Sequence, residues 1–349
     1  MRVGLIATPW TPTPPVLYGG IELVVDRLAR GFSAAGHDVV LFATGDSTCP
    51  VPRHHLLEVA DGRRIGNGVT EIRHALAAYE CLRDEGCDII HDHTLAGPLL
   101  GPRLLDGDVP IVTTVHGPLA SELLDVYRHV ATVGRGGVSL IAVSHAQRRP
   151  APSLPVAAVI HHGIDAADFP VGRGDGGYAL FLGRMSPDKG AHRAIEAARK
   201  ARVPLVLAGK LREDSEFEYF DSEVRPLLGA DADYIGEVPH DEKVRLLAGA
   251  CALLFPIRWN EPFGLVMLEA MACGTPVLAF REGAAPEVVE DGVTGYLCDD
   301  EGHMAHCLTR LDSLSRAACR RAVETTFSTA RMAADHLELF DRLVGVDQS

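Results

Sequence analysis

The chain has 349 residues, enough for about two domains at roughly 150 residues each. Apolar residues make up 47% and charged residues 23%, a globular composition that excludes disordered, collagenous and coiled-coil chains. The 33 basic and 47 acidic residues give a net charge of −14. We therefore expect no nucleic-acid partner, because a sequence-independent binder needs a basic surface.

The N-terminus and the cysteines favour a cytoplasmic protein. No apolar run reaches the roughly 18–20 residues that span a bilayer, so we expect no transmembrane segment. The first eight residues are too short and too polar at their flanks for a signal peptide. None of the eight cysteines lies in a C-x-x-C pair, and we expect reduced, mostly buried thiols.

The first half of the chain alternates apolar strands with amphipathic helices. Strands are predicted at 3–8, 38–43, 87–91, 111–115, 138–143 and 157–160. One helical face is marked by Ile21, Val24, Val25, Leu28 and Phe32, and a second helix is predicted at 69–83. This alternation is typical of a parallel sheet that is covered on both faces.

A second alternating series follows a breaker-rich linker near 165–177. Its strands are predicted at 178–182, 205–208, 234–235, 251–255 and 277–279, and its helices at 188–201, 239–249 and 264–273. We predict an α/β fold with two Rossmann-like domains, 1–168 and 169–327. A terminal helix within 328–349 either returns to the first domain or stays with the second. Ligands of such sheets bind at the carboxyl ends of strands, which places the expected site in a cleft between the domains.

The strongest candidate segment runs from residue 255 to 277 and reads FPIRWNEPFGLVMLEAMACGTPV. Glu261 and Glu269 are separated by about 12 Å if the helix rises ~1.5 Å per residue, a distance that suits an extended nucleotide sugar. Carboxylates suit sugar hydroxyls because each oxygen accepts hydrogen bonds. In the alternative interpretation, Glu261 caps the helix and Glu269 is a solvated helical residue. The start of the helix leaves four N–H groups free to bind a diphosphate, those of Phe263, Gly264, Leu265 and Val266.

This segment resembles the E-P-F-G-x-x-x-x-E-A-M-A-x-G-x-P-V motif of the retaining glycosyltransferases of family 4, from Glu261 to Val277. The resemblance implies the GT-B fold, in which two Rossmann-like domains face a central cleft. It also implies a nucleoside-diphosphate sugar as donor, with Glu261 at the transferred sugar and Glu269 at the ribose.

The segment 182–190, LGRMSPDKG, resembles the family's G-R-x-x-x-x-K-G motif. Arg184 offers a planar fork for phosphate oxygens and Lys189 a mobile point charge, so both can offset charge on a leaving diphosphate. Asp188 is a candidate cap for the following helix. A solvated loop pair is the alternative interpretation.

Two loops of the first half also match the family. Gly19 and Gly20 precede a helix and let backbone N–H groups approach an anion closely, although a glycine pair alone is usually a tight turn. His116 follows a strand and is similar to the family histidine near the transferred sugar. We expect it to bond the sugar or hold local geometry, not to act as an obligatory base.

Softer matches complete the candidate set. Ser144 lies in a segment that is similar to one lining the family's cleft. Gly209 and Val238 match loops that hold the nucleobase in family members, where backbone groups read the base.

We expect neither a metal nor another cofactor. The D-x-D strings at 106–108 and 231–233 resemble metal-binding motifs, but such strings arise readily by chance among 47 acids. His91 and His93 would share a face of a strand, which favours a cleft-lining or structural role over a metal site. Cys273 is expected in the core.

The resemblance implies retaining transfer from a nucleoside-diphosphate sugar to an acceptor hydroxyl, with UDP favoured over GDP. It does not determine the acceptor, for which we expect a small molecule or an oligosaccharide. Composition is reminiscent of actinobacterial enzymes that decorate oligosaccharide antibiotics. A nicotinamide-dependent oxidoreductase is disfavoured because G-x-G-x-x-G does not follow the first strand. A nucleotide-sugar epimerase and a non-catalytic binder on the same fold stay open. The sequence does not determine the oligomeric state.

Overall fold

The structure is a computed structural model that describes residues 1–105, 107, 109–132 and 137–346. The chain forms two compact units. Unit 1 holds Met1–Gly163 together with the helix that begins at Thr329, and unit 2 holds Ile164–Ser328. Our predicted boundary at 168/169 falls a few residues later than this division. The terminal helix groups with unit 1, one of the two placements that its pattern allowed.

Unit 1 is built on a seven-stranded parallel sheet. The strands are β1 Arg2–Ile6, β2 Asp38–Ala43, β3 Arg53–His55, β4 Ile89–Asp92, β5 Ile111–Val115, β6 Val138–Ala142 and β7 Val156–Val159. Their order is β3-β2-β1-β4-β5-β6-β7, so β1 pairs with β2 on one side and with β4 on the other. The sequence did not predict β3, whose three residues Arg-His-His lack an apolar run.

Helices cover the unit 1 sheet: α1 Gly20–Ala34, α2 Gly68–Asp84, α3 Gly97–Leu104, α4 Ser121–Val130 and α5 His145–Arg148. The predicted face of α1 is buried at Val24, Val25, Leu28 and Phe32. Within the described residues, no helix combines the length and apolar character that crossing a bilayer requires.

Unit 2 is built on a six-stranded parallel sheet in the order β10-β9-β8-β11-β12-β13. The strands are β8 Ala179–Leu182, β9 Leu205–Ala208, β10 Ala232–Tyr234, β11 Leu253–Phe255, β12 Val277–Phe280 and β13 Gly295–Cys298. The sequence did not predict β13, a four-residue edge strand that begins with glycine.

Helices α6 to α12 belong to unit 2, and α13 completes unit 1. Their ranges are α6 Ala191–Ala201, α7 Asp214–Tyr219, α8 His240–Gly249, α9 Leu265–Ala272, α10 Ala285–Val288, α11 Glu301–Leu308, α12 Arg316–Thr326 and α13 Thr329–Val346. Helix α13 packs on α1, where a Cβ added to Gly31 would lie 2.7 Å from Ala333 Cβ. Phe32 and Phe340 meet edge to face at 5.5 Å.

Each sheet has one point at which the strand order reverses, between β1 and β4 in unit 1 and between β8 and β11 in unit 2. The loops that leave two such strands run in opposite directions across the sheet and open a crevice at its carboxyl edge. Residues that directly follow β1, β4, β8 and β11 therefore lie beside these crevices.

Candidate active site

Lys189 and Glu261 form an ion pair at the reversal point of the unit 2 sheet. Lys189 lies in the loop after β8 and Glu261 in the loop after β11. Lys189 Nζ donates to Glu261 Oε2, and the two side chains are only 13% and 12% exposed. The ammonium also lies 5.0 Å from the centroid of the Trp259 ring. The structure thus brings together two residues that the sequence separates by 72 positions.

Arg193 on α6 joins the two loops that carry this pair. Its guanidinium donates to the carbonyl oxygen of Pro187 and to that of Pro256, both at 2.8 Å. A third link runs from Arg258 N–H to the Asp188 carbonyl oxygen at 2.9 Å. Burial lowers the pKa of Arg193. Sequence reasoning missed Arg193, because its role depends on two loops that lie far apart in the chain.

Gly283, in the loop after β12, fixes the backbone of Glu261. Its φ of +53° lies in the left-handed region, and an added Cβ would lie 2.4 Å from Glu261 N and 2.5 Å from Glu261 O. Ala284 N–H donates to the Glu261 carbonyl oxygen at 3.0 Å. Only glycine permits so close an approach.

Arg184 lies in the loop after β8 and pairs with Asp188, with Nη2 and Oδ2 separated by 3.6 Å. Both side chains are about one-third exposed. The suggestion that Asp188 caps the next helix is wrong, because Gly190 occupies the N-cap of α6 without a side-chain bond.

Helix α9 begins directly after Gly264, which has φ +86° and no side-chain cap. Its first turn carries the N–H groups of Leu265 and Val266, which have no acceptor within the helix. Phe263 is buried. Because Gly264 is the N-cap residue, the alternative that Glu261 caps this helix is wrong.

Glu269 lies one turn into α9 and is buried, which excludes the alternative of a solvated surface residue. Lys243 on α8 donates to Glu269 Oε1 at 2.6 Å. The carboxylate is 6% exposed and the ammonium 23% exposed. Two of the four lysines of the chain therefore pair with the two motif glutamates.

Gly209 begins the loop after β9 and packs against the loop after β8. An added Cβ would lie 1.7 Å from the Gly183 carbonyl oxygen, so no side chain fits. The N–H of Gly209 donates to Gly236 O at 2.9 Å, and Tyr234 Oη donates to Gly209 O at 2.8 Å. Val238 is half-buried in the loop after β10. The roles of Gly209 and Val238 toward a base stay predictions.

In unit 1, Gly19 and Gly20 stand at the start of α1, beyond the carboxyl end of β1. Glu22 in the first turn of α1 is buried and accepts a hydrogen bond from the Thr8 hydroxyl. Burial raises the pKa of Glu22. The loop therefore lies beside a buried carboxyl group that sequence reasoning did not single out.

His116 follows β5 and is hydrogen-bonded to His93, which follows β4; His93 Nδ1 and His116 Nε2 lie 2.9 Å apart. Burial lowers the pKa of His116 to about 3 and the pKa of His93 well below its ordinary value. Both rings are therefore neutral at neutral pH.

Ser144 is buried and caps α5, where its Oγ accepts from Gln147 N–H at 3.0 Å. The Gln147 amide then donates to the carbonyl oxygens of Val115 and Gly117, both at 2.7 Å. This arrangement holds the backbone on either side of His116. A direct contact of Ser144 with a ligand stays a prediction.

The structure describes one of the two D-x-D strings in full, the one at 231–233. Asp231 forms a surface ion pair with Arg199 at 2.7 Å. Asp106 and Asp108 lie outside the described residues. In the part of the chain that the structure describes, no group of three or more His, Cys, Asp or Glu side chains is arranged to hold a metal ion.

Two family models match this chain. The model of glycosyl transferases group 1 matches residues 166–320, and the model of glycosyltransferase family 4 matches residues 18–168. A glycogen synthase from Mycobacterium tuberculosis is 31% identical, over 88% of this chain and 86% of that protein. A phosphatidyl-myo-inositol mannosyltransferase from Mycolicibacterium smegmatis is 30% identical, over 93% and 89%.

The crystal structure of AviGT4, a glycosyltransferase involved in avilamycin A biosynthesis, is similar across 99% of this chain and 98% of that chain, with a TM-score of 0.74 and 28% identity. A sucrose-phosphate synthase from Thermosynechococcus elongatus has the same fold, with a TM-score of 0.79 and 21% identity. These similarities define a sugar-transferring enzyme of the GT-B fold. The chain belongs to glycosyltransferase family 4.

Proposed function

We propose that this enzyme is a retaining glycosyltransferase that moves a sugar from a nucleoside-diphosphate sugar to an acceptor hydroxyl. We favour UDP as the nucleotide, and a small natural product or an oligosaccharide as the acceptor. The similarity to AviGT4 along nearly the whole chain supports this acceptor class. No metal or other cofactor takes part in the proposed reaction.

The pair of Lys189 and Glu261 carries the proposal. A carboxylate and an ammonium, both shielded from solvent, stand where the strand order of the unit 2 sheet reverses. Ligands of open parallel sheets bind at that place. The carboxylate accepts from sugar hydroxyls, and the ammonium attracts the diphosphate.

In the proposed reaction, the bond between the anomeric carbon and the phosphate oxygen breaks, and its electron pair stays on the diphosphate. Lys189, Arg184 and the first N–H groups of α9 stabilise the charge that develops there, an electrostatic effect that usually dominates catalysis. The acceptor oxygen attacks the anomeric carbon from the same face, and its proton passes to the leaving phosphate oxygen. Glu261 orients the sugar and does not act as a nucleophile.

Glu269 binds the two ribose hydroxyls in this proposal. A carboxylate that accepts from Lys243 keeps a second oxygen for a hydroxyl donor. Its burial strengthens such bonds, because hydrogen bonds to charged groups gain from a low local dielectric.

The stereochemical course tests the proposal. The enzyme is incubated with UDP-α-glucose without an acceptor, so that water takes the acceptor's place, and the released sugar is followed by proton NMR. Retention releases α-glucose before it mutarotates, whereas an inverting enzyme releases β-glucose. Early β-glucose would overturn the retaining mechanism, and an oxidised or epimerised nucleotide sugar would overturn the transferase assignment.

A further inference from the structure

Unit 1 contains a cluster of five histidine rings around the ends of β4 and β5. Ring centroids lie 4.1 Å apart for His91 and His93, 5.2 Å for His93 and His116, 5.7 Å for His116 and His162, and 5.2 Å for His91 and His336. Four of the rings are buried and His116 is half-buried. Burial lowers the pKa of each of them, so the cluster is neutral at neutral pH.

Two buried histidines of unit 1 have a tautomer that their partners determine. His336 Nδ1 lies 2.7 Å from Met332 O, and His74 Nε2 lies 3.0 Å from Ala7 O. A carbonyl oxygen only accepts, so the bonded nitrogen carries the proton in both cases. The other ring nitrogen, His336 Nε2 or His74 Nδ1, is buried without a partner among the described residues. In both of these rings, the nitrogen left without a partner is thus the one without a proton.

The bond between His93 and His116 can be written in two directions, and burial distinguishes them. His93 Nε2 is buried and has no partner among the described residues. If His116 donated the proton, His93 Nε2 would carry a buried N–H without an acceptor. Orphaned buried N–H groups are rarer than orphaned acceptors, because such a donor has lost its hydrogen bond to water without gaining another. If His93 donates, only an unprotonated nitrogen is left without a partner, as at His336 and His74.

The direction of this bond also determines what His116 offers to a ligand. When Nε2 accepts from His93, the single proton of the neutral ring lies on Nδ1. His116 is half-buried, and its Nδ1 has no hydrogen-bond partner among the described residues. The ring therefore presents a donor at the edge of the sheet.

We propose that His93 is a positioning residue that donates Nδ1–H to His116 Nε2 and so fixes His116 as the Nδ1–H tautomer, a hydrogen-bond donor to an oxygen of the donor sugar. The ligand part of this inference rests on the proposed function. In this form His116 cannot take a proton at Nδ1, so it orients the sugar and does not serve as a base. An oxygen acceptor on the substrate is the group that it recognises.

The tautomer is tested by long-range proton–nitrogen NMR on protein labelled with ¹⁵N in the histidine rings, at pH 7.5. The His116 signals are identified by their loss in His116→Ala. We expect the Nδ1–H pattern in the wild type and in His93→Asn, whose amide N–H replaces the Nδ1 donor. We expect that pattern to be lost in His93→Leu. His91→Asn is the matched control, because His91 bonds Thr114 at 2.8 Å instead of His116. An Nε2–H pattern for His116 in the wild type would overturn the proposal.

Calorimetric binding of UDP-glucose and of UDP tests the ligand part. We expect His116→Ala and His93→Leu each to weaken UDP-glucose about tenfold, within the range for one hydrogen bond, and to leave UDP unchanged. The double variant should lose no more affinity for UDP-glucose than either single variant, because both residues act through the same contact with the sugar. Wild-type affinity for UDP-glucose in His116→Ala would overturn the sugar contact. A wild-type protein that binds no UDP-glucose would instead overturn the choice of donor, and the NMR result would still decide the tautomer.

Discussion

Lys243 Nζ lies 2.6 Å from Glu269 Oε1, and this bond holds a carboxylate that is only 6% exposed. The two residues come from neighbouring helices, α8 and α9, and are 26 positions apart. A buried carboxylate without its cation is costly, so loss of Lys243 would leave an uncompensated charge in the interior of unit 2.

Substitution of Lys243 should weaken both stability and nucleotide binding. Removing one partner of a buried ion pair costs about 3–5 kcal/mol, and we expect the lower end for Lys243→Met because Lys243 is 23% exposed. Calorimetry with UDP and with its dideoxyribose analogue measures the loss of nucleotide affinity. We expect this loss for UDP alone, because the analogue has no ribose hydroxyls for Glu269 to bind. Lys200→Met is the matched control, because its pair with Glu196 is half-exposed on one helix and such pairs contribute little to stability. Equal losses of affinity for both nucleotides would contradict the assignment of Glu269 to the ribose hydroxyls.

Glu261→Ala should abolish sugar transfer while nucleotide affinity stays close to that of the wild type. The carboxylate orients the sugar in the proposed reaction, whereas the phosphates are bound by cations and N–H groups. We expect kcat to fall by at least about 10²–10³, the loss seen when one preorganised transition-state contact is removed. Steady-state kinetics and UDP calorimetry on the same preparation separate the two effects. Full turnover in this variant would contradict the assignment of Glu261.

Gly283→Ala should impair transfer through Glu261, although Gly283 itself has no functional group. The new Cβ would lie 2.4 Å from Glu261 N and must displace that backbone. Gly292→Ala is the matched control, because Gly292 also has a positive φ, +79°, but nothing lies within 4 Å of its added Cβ. Both variants carry the left-handed strain of about 1–2 kcal/mol. Only Gly283→Ala should lower kcat; an equal loss in the two variants would show that strain alone is responsible.

The buried histidines make stability fall as the pH is lowered below about 6.5, the ordinary histidine pKa. A folded-state pKa below the unfolded one means that the unfolded state binds more protons, so acid favours unfolding. The loss continues down to the folded pKa, about 4 for His74 and His336 and about 3 for His116. Asp92 has the opposite effect, because burial raises its pKa to about 7. Between about pH 7 and 4 its folded state binds more protons than its unfolded state, so lowering the pH raises this contribution to stability.

His336→Phe isolates one histidine in this balance. His336 packs against Phe32 and Phe340, so a phenyl ring suits the site. Urea unfolding between pH 4.5 and 6.5 gives the free energy of unfolding at each pH. We expect its slope against pH to be lower in this variant than in the wild type by about 1.4 kcal/mol per pH unit, the contribution of one proton. An unchanged slope would mean that His336 titrates alike in the folded and unfolded states.

Treatment with a chelator should leave transfer unchanged, because the proposed charge stabilisation relies on Lys189, Arg184 and helix N–H groups. The measurement is initial rate with EDTA and then with added Mg²⁺. A strict requirement for Mg²⁺ would overturn the metal-free mechanism and would make the D-x-D strings candidate metal ligands.

Local sequence pattern predicted much of the fold because buried parallel strands are short apolar runs between amphipathic helices. It failed at β3, whose residues Arg-His-His carry no such run, and at β13, a four-residue strand that begins with glycine. The motif that contains Glu261 and Glu269 located the start of α9 closely, because glycine at the N-cap and an apolar helix are local signals. The sequence did not determine which unit the terminal helix α13 joins, because an apolar helical face does not specify its packing partner.

The partners of the candidate residues could not be predicted in the same way. Lys243, Gly283 and His93 act on Glu269, Glu261 and His116 across 26, 22 and 23 positions, through tertiary contacts that no local spacing encodes. The scarcity of lysine, four residues in 349, is a signal in the sequence that applies equally to Lys189 and Lys243.

In the proposed reaction, this enzyme releases a nucleoside diphosphate as the product of sugar transfer and therefore binds it. Thermal unfolding of the purified protein with UDP, GDP, ADP, dTDP and NAD is the direct test of this binding. A ligand at about 100 times its Kd adds about 2.7 kcal/mol when it binds only the folded state, which is a visible rise in Tm. We predict that one nucleoside diphosphate, with UDP expected, raises Tm and that NAD does not. A rise with NAD alone would contradict the account and would indicate an oxidoreductase.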